Sequence, residues 1–173
     1  MVIKKETDKL GELVEDIIIF SRLEARSKDI VYTKGDLRET FSYTMERFAT
    51  VLNEKNIKVE HDFSDTPVYF EYDERSMERA LQNLVSNAVR YTRGEIKITC
   101  TELEERIVIK VSYNGPGISS EDLPKVFDRF YKGKDGVHGI GLSIVKSIIS
   151  SYKGRIEIST GNEGTTFTFF LPE

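Results

Sequence analysis

Apolar residues recur at helical spacing near the start of the chain. Leu10, Leu13, Val14, Ile17, Ile18 and Leu23 stand among charged positions, which predicts one amphipathic helix over residues 3–27. Such a helix, of about 25 residues, is close to 37 Å long. Its stripe has two possible covers, its own domain or a partner helix from another chain, and the length favours the partner. After a break at KDIVYTKGD, Asp36 is placed to cap a second helix over 37–54. Two short strand candidates follow, 57–63 and 67–73, on either side of the turn-like SDTP. A third helix is expected from 74 to 91, where Met77, Leu81, Leu84, Val85 and Ala88 form the core-facing stripe.

Beyond it the period switches from helix to strand. EIKITCTEL and ERIVIKVSY, spanning 95–113, alternate as a hairpin that runs into a glycine loop, NGPGI. A short helical stretch near 121–130, a glycine-punctuated loop at 131–139 and a helix over 140–152 come next. RIEIST and TTFTFFLP close the chain as a hairpin around GNEG. Helices and strands in this order predict an α+β two-layer sandwich, a mixed sheet covered by helices.

Composition narrows the class. With 39% apolar and 31% charged residues and a net charge of −4, the chain reads as soluble and globular, without a basic footprint for nucleic acid. The apolar run IIIF at 17–20 is too short to span a bilayer, and acidic residues scattered through the first thirty positions exclude a signal peptide pattern. Cys100 is the only cysteine, so an intrachain disulfide is impossible; its alternating setting predicts a small buried hydrophobe.

The chemistry begins on the third helix. Asn83, Asn87, Arg90 and Tyr91 fall at i, i+4, i+7 and i+8 and share a face away from the core stripe. Asparagine is a poor helix-interior residue because its amide competes for backbone hydrogen bonds. The face is either a solvated polar surface or a ligand site, in which the Asn87 carbonyl oxygen suits Mg²⁺ and Arg90 suits a phosphate. Two glycine loops bear on the choice: NGPGI follows a strand, and GVHGIGLSIV (136–145) opens a helix, with Gly139 and Gly141 just before Leu142. Glycines at a helix start let backbone amides approach phosphate oxygens. Their spacing matches neither a dinucleotide fingerprint nor a Walker loop.

In order, these segments resemble a known family. NLVSNAVRYT is similar to the N-box, YNGPGI to the first glycine box, FDRFYK to the F-box and GIGLSIVK to the second glycine box of the catalytic ATP-binding domain of bacterial sensor histidine kinases, within the GHKL ATPase superfamily. LVEDIIIFSRLEAR resembles the second helix of that family's dimerisation hairpin. The resemblance therefore implies two parts, residues 1–30 from the hairpin and 31–173 as the catalytic domain. It implies ATP and Mg²⁺ as cofactors, with Asn87 as the metal ligand and Asn83 near the phosphates. Arg90 stands where lysine is common, and Tyr91 lines the pocket. Gly115, Gly117 and Ile118 shape the adenine end. Phe127 and Phe130 are core or lid anchors, and Lys132 reaches the terminal phosphate. Gly139, Ile140, Gly141 and Leu142 close on the phosphates. A gyrase-, chaperone- or mismatch-repair-type relative is disfavoured by the entry helix and by the lack of a downstream transducer domain.

The same resemblance implies transfer of the γ-phosphoryl group to a histidine on the hairpin, ahead of residue 1, and relay to a response regulator. It also implies a homodimer in the full-length protein, and a cytoplasmic domain tied to a bacterial membrane through upstream segments. His61 is expected as an exposed strand residue and His138 as a loop residue, so this chain is not expected to phosphorylate itself. Tyr113 departs from the pattern, since the family places an aspartate there to accept a hydrogen bond from the adenine amine. Weakened ATP binding follows, and a nucleotide-weak scaffold of the same fold is the alternative reading.

Overall fold

The computed structural model describes residues 2–25, 30–131 and 140–172. Helix α1 (Val2–Glu24) is followed by strand β1 (Thr33–Asp36), helix α2 (Leu37–Glu54), strands β2 (Lys58–Phe63) and β3 (Tyr69–Tyr72), and helix α3 (Glu74–Tyr91). Strands β4 (Glu95–Leu103) and β5 (Arg106–Asn114), helix α4 (Gly141–Ser151), and strands β6 (Arg155–Gly161) and β7 (Gly164–Pro172) complete the chain. The main sheet has the order β2-β4-β5-β7-β6 and is mixed: β2 pairs parallel with β4, and every other neighbour is antiparallel. This is the two-layer α+β sandwich that the pattern predicts.

Alternation assigns the faces. Ile96, Ile98 and Cys100 on β4, Ile107, Ile109 and Val111 on β5, and Phe167, Phe169 and Leu171 on β7 are buried in one core with Met77, Leu81, Leu84, Val85 and Ala88 of α3 and Ile144, Val145 and Ile148 of α4. Burying each such side chain contributes about 1.5–3 kcal/mol. Burial pushes the Cys100 thiol up to about 12, so it stays a neutral core group. His61 is exposed in β2, its ring 5.5 Å from that of Phe63.

Two features differ from the expectations, and a third, the pairing of the strands beside SDTP, was left open by them. The strands beside SDTP do not pair with each other: β2 joins the main sheet, whereas β3 pairs with β1 in a separate two-stranded ribbon. Gly35 permits that ribbon, because a Cβ there would lie 2.7 Å from the Tyr72 hydroxyl oxygen. The helical stretch near 121–130 is only a 3₁₀ turn at Leu123–Lys125, with Pro124 in its first turn. Phe130 is 70% exposed at φ 59, so it is no core anchor, while Phe127 packs partly against the core.

Asp36 caps α2 as expected, its Oδ1 accepting from the Arg38 backbone N–H at 3.0 Å and from the Val68 N–H at 3.1 Å. Burial alone would raise its pKa, but these bonds and the Arg38 guanidinium outweigh burial and hold the carboxyl below its ordinary 3.8. A depressed folded-state pKa means stabilisation that is complete above the unfolded value and lost as pH falls through the folded one. Asp36→Asn, which keeps a capping oxygen but removes the charge facing Arg38, is therefore expected to cost up to about 1 kcal/mol at pH 7 and much less in strong acid. Urea midpoints for both proteins down the acid limb check this; a cost independent of pH would refute it.

Candidate functional site

At one end of the α layer, α3, the end of β5 and the start of α4 converge. Residues aligned across the sheet form a row, Ile96–Tyr113–Thr165–Thr160, at this end. Toward the opposite end the equivalent rows are apolar, Ile98–Val111–Phe167 for instance, so the polar character here is local. Tyr113 is 5% exposed and Thr165 2%. The Asn87 side-chain amide donates from Nδ2 to the Tyr113 hydroxyl at 3.3 Å. Burial raises the Tyr113 pKa, outweighing the lowering influence of the Thr165 and Asn87 side chains, so the phenol remains protonated. Thr165 Oγ1 lies 2.9 Å from Thr160 Oγ1, which in turn accepts the Ile118 backbone N–H at 2.8 Å.

The glycines hold these elements close together. A Cβ on Gly115 would sit 2.4 Å from the Tyr91 carbonyl oxygen, so the loop passes directly against the end of α3. Gly117 has φ +76, and a Cβ there would meet the Gly161 carbonyl oxygen at 2.3 Å. Both the backbone conformation and the close approach disfavour any other residue. A Cβ on Gly141 would come 3.0 Å from Asn83 Oδ1, which places the start of α4 against the polar face of α3.

Among the described residues, nothing meets the electrostatic demand of that helix start. Ile140 is the N-cap residue and supplies no side-chain acceptor, although the first turn of a helix presents backbone donors and a partial positive charge. Beside it, Asn83 Nδ2 is buried with no hydrogen-bond partner among the described residues. An anion placed there would satisfy both.

Thus Asn83, Asn87, Tyr91, Tyr113, Gly115, Gly117, Ile118, Ile140 and Gly141 come together at this end. Leu142 and Ile140 are partly buried against the core, and Arg90 is exposed at the rim. Lys132, Lys134, His138 and Gly139 lie outside the described residues. Thr160 and Thr165 are site residues that the motifs do not reveal. Alternation in GTTFTFF puts Thr165, Phe167 and Phe169 on one inward face, and the single hydroxyl among those aromatics was the available signal.

Helix α1 docks beside this region, on α3, α4 and the chain after β5. Asp16 and Arg79 form a buried ion pair at 2.5 Å, and Ile19 is 2% exposed. Arg129 stacks over the Phe20 ring at 3.8 Å and donates to Glu24 at 3.0 Å. The rest of the stripe, Leu10, Leu13, Val14, Ile17 and Ile18, remains exposed.

Residues 72–173 match the model of the histidine kinase-, DNA gyrase B- and HSP90-like ATPases. Sensor histidine kinase WalK of Bacillus subtilis is 32% identical over 99% of this chain and 30% of its own length. Sensor protein SrrB of Staphylococcus aureus is 31% identical over 99% of this chain and 31% of its own. The chain thus spans about three-tenths of the curated relatives it matches. Among solved structures, the Acinetobacter baumannii histidine kinase AdeS superposes with a TM-score of 0.84 at 29% identity, over 99% of this chain and 82% of that one. Full-length ShkA in complex with AMPPNP gives a TM-score of 0.85 at 25% identity, over 99% of this chain and 37% of that one. With its mixed sheet, the close approaches of Gly115 to the end of α3 and of Gly141 to Asn83, and these relatives, the chain belongs to the histidine kinase-, DNA gyrase B- and HSP90-like ATPase family, as a domain of the type that binds ATP in sensor histidine kinases.

Proposed function

We propose that residues 31–173 form the catalytic domain of a two-component sensor kinase, which binds Mg·ATP and directs its γ-phosphoryl group to a histidine on a partner helical hairpin. Residues 1–30 are read as part of that hairpin. The observation that carries the reading is that, among the described residues, the start of α4 has no side-chain cap and the buried Asn83 Nδ2 beside it has no partner, which fits an anion one helical turn from Asn87. ShkA, solved in complex with AMPPNP, supports a nucleotide as the anion.

The donor set suits Mg²⁺. No group of three or more His, Cys, Asp or Glu side chains able to cage a metal exists among the described residues. Mg²⁺ instead tolerates a site with one protein oxygen, completed by phosphates and water, and Asn87 Oδ1 is such an oxygen. When bound, the ion neutralises charge developing on the phosphate oxygens. The chain's own residues position the nucleotide: α4 amides and Asn83 hold phosphate oxygens, Arg90 and Lys132 supply positive charge, and the close Gly115 and Gly117 turns shape the base end. Tyr91, Ile118, Ile140 and Leu142 complete the pocket wall. Phosphoryl transfer needs little beyond such positioning and charge neutralisation.

The exposed stripe of α1 supports a homodimer through a partner helix, and a response regulator is the proposed acceptor of the relayed phosphoryl group. No described helix is long and apolar enough to cross a membrane; attachment to a bacterial membrane is proposed through segments outside these residues.

Calorimetric titration with AMPPNP, with and without Mg²⁺, tests the assignment. Asn87→Ala is expected to weaken binding about tenfold in Mg²⁺, the order of a charge-assisted contact, and to change it little in EDTA. Absence of nucleotide binding by the unmodified chain at millimolar concentration would sink the reading. Transfer from ATP to a supplied hairpin carrying a histidine then tests the reaction.

A further inference from the structure

We infer that Tyr113 is a positioning residue for the cation ligand, its hydroxyl holding the Asn87 side chain so that Oδ1, and not Nδ2, faces the phosphates. The inference rests on the nucleotide reading above and adds to it an assigned role for a residue that the family pattern leaves unexplained.

A side-chain amide has one end that can ligate a cation and one that repels it, and rotation by half a turn exchanges them. On a half-buried helix face, that exchange must be prevented if Asn87 is to serve. Here Nδ2 donates to the Tyr113 oxygen at 3.3 Å. Because Nδ2 and Oδ1 share one carbon in a plane, fixing the nitrogen on Tyr113 turns the oxygen away from it.

The phenol is itself held in place. Tyr113 projects from β5 into the hydrophobic core, beside its cross-strand neighbour Ile96. Its other cross-strand partner is Thr165, which is buried beside it. Thr165 continues through Thr160 to the Ile118 N–H of the glycine loop. In this contact the phenol oxygen is the acceptor, and an acceptor at that point selects the Nδ2 end. A ring wanted only for packing would need no hydroxyl, and a buried hydroxyl is costly unless bonded.

Tyr113→Phe tests this, since it keeps the ring and removes only the oxygen. AMPPNP binding is followed while Mg²⁺ is titrated, and again in EDTA. The expected result is a rise of about five- to tenfold in the Mg²⁺ concentration giving half-maximal enhancement, the order of one hydrogen bond, and a smaller change in EDTA affinity. A role in packing alone would move both affinities together or neither, and either pattern overturns the inference. Thr165→Val, which leaves the phenol in place but removes its cross-strand partner, is expected to shift the Mg²⁺ midpoint in the same direction by a smaller factor. If Tyr113→Phe does not fold, an unchanged midpoint in Thr165→Val overturns the inference. If the unmodified chain binds no nucleotide at all, the functional reading falls and takes this with it; if it binds and responds to Mg²⁺ while the variants match it, only this inference falls.

Discussion

Tyr113→Asp is expected to tighten binding of free ATP, measured in EDTA so that the cation ligand is silent, by roughly 10- to 150-fold. A carboxylate at this position accepts a hydrogen bond from the adenine amine in the family that the chain resembles, and the phenol stands in its place. The Tyr113 side chain is buried, between its cross-strand neighbour Thr165 on β7 and Asn87 on α3, at what is proposed as the base end of the pocket. Removing it opens space as well as supplying the acceptor. The same change should cost about 3 kcal/mol of folding stability without nucleotide, from the cavity left in the core and the buried carboxylate. Affinity and stability therefore move in opposite directions, a signature that a surface change would not produce. Calorimetry and urea unfolding on the same two proteins check both halves; weaker ATP binding in the aspartate variant would show that Tyr113 does not stand at the base end.

Asp16→Ala is expected to lower stability by about 3 kcal/mol, because removing one partner leaves the other's charge buried without its carboxylate. Asp16 is 4% and Arg79 6% exposed, with the Asp16 carboxylate 2.5 Å from Arg79 Nε. The outer pair, Glu15 with Arg75 at 3.3 Å, is exposed on both sides, and Glu15→Ala should change stability by less than about 0.5 kcal/mol. Joint replacement of the inner pair, Asp16→Leu with Arg79→Met, should recover most of the loss, since apolar residues of similar volume remove the uncompensated charge. Hydrogen exchange along α1 reads the consequence locally: faster exchange from Asp16 to Leu23 in Asp16→Ala, restored in the double variant. Equal effects from the inner and outer pairs would show that burial does not set the strength of this contact.

These two sites differ in how far they could be read in advance. Local periodicity located α2 and α3 to the residue, because Asp36 and Asp73 precede unbroken helical patterns and a helix closes its bonds within four residues. The two hairpins were equally legible from alternation and their intervening turns. The β1–β3 ribbon was not, since TKGD carries no apolar alternation and its pairing depends on Tyr72 lying over Gly35. The 3₁₀ turn failed as a helix because Pro124 removes a donor in a stretch too short to nucleate.

Ordered boxes of asparagine and glycine identified the family and the convergence of its pocket, and these follow from residue types at short spacing. Only the tertiary structure decided what the side chains do there. Asn87 and Tyr113 are 26 residues apart, Asp16 and Arg79 63 apart, and no local pattern encodes such pairs. Tyr113 could be recognised in the sequence as a missing carboxylate, but not as an acceptor for Asn87. Periodicity determines which face a residue occupies; which group meets it across the core depends on how separately formed layers pack, and that is settled only when the whole chain folds.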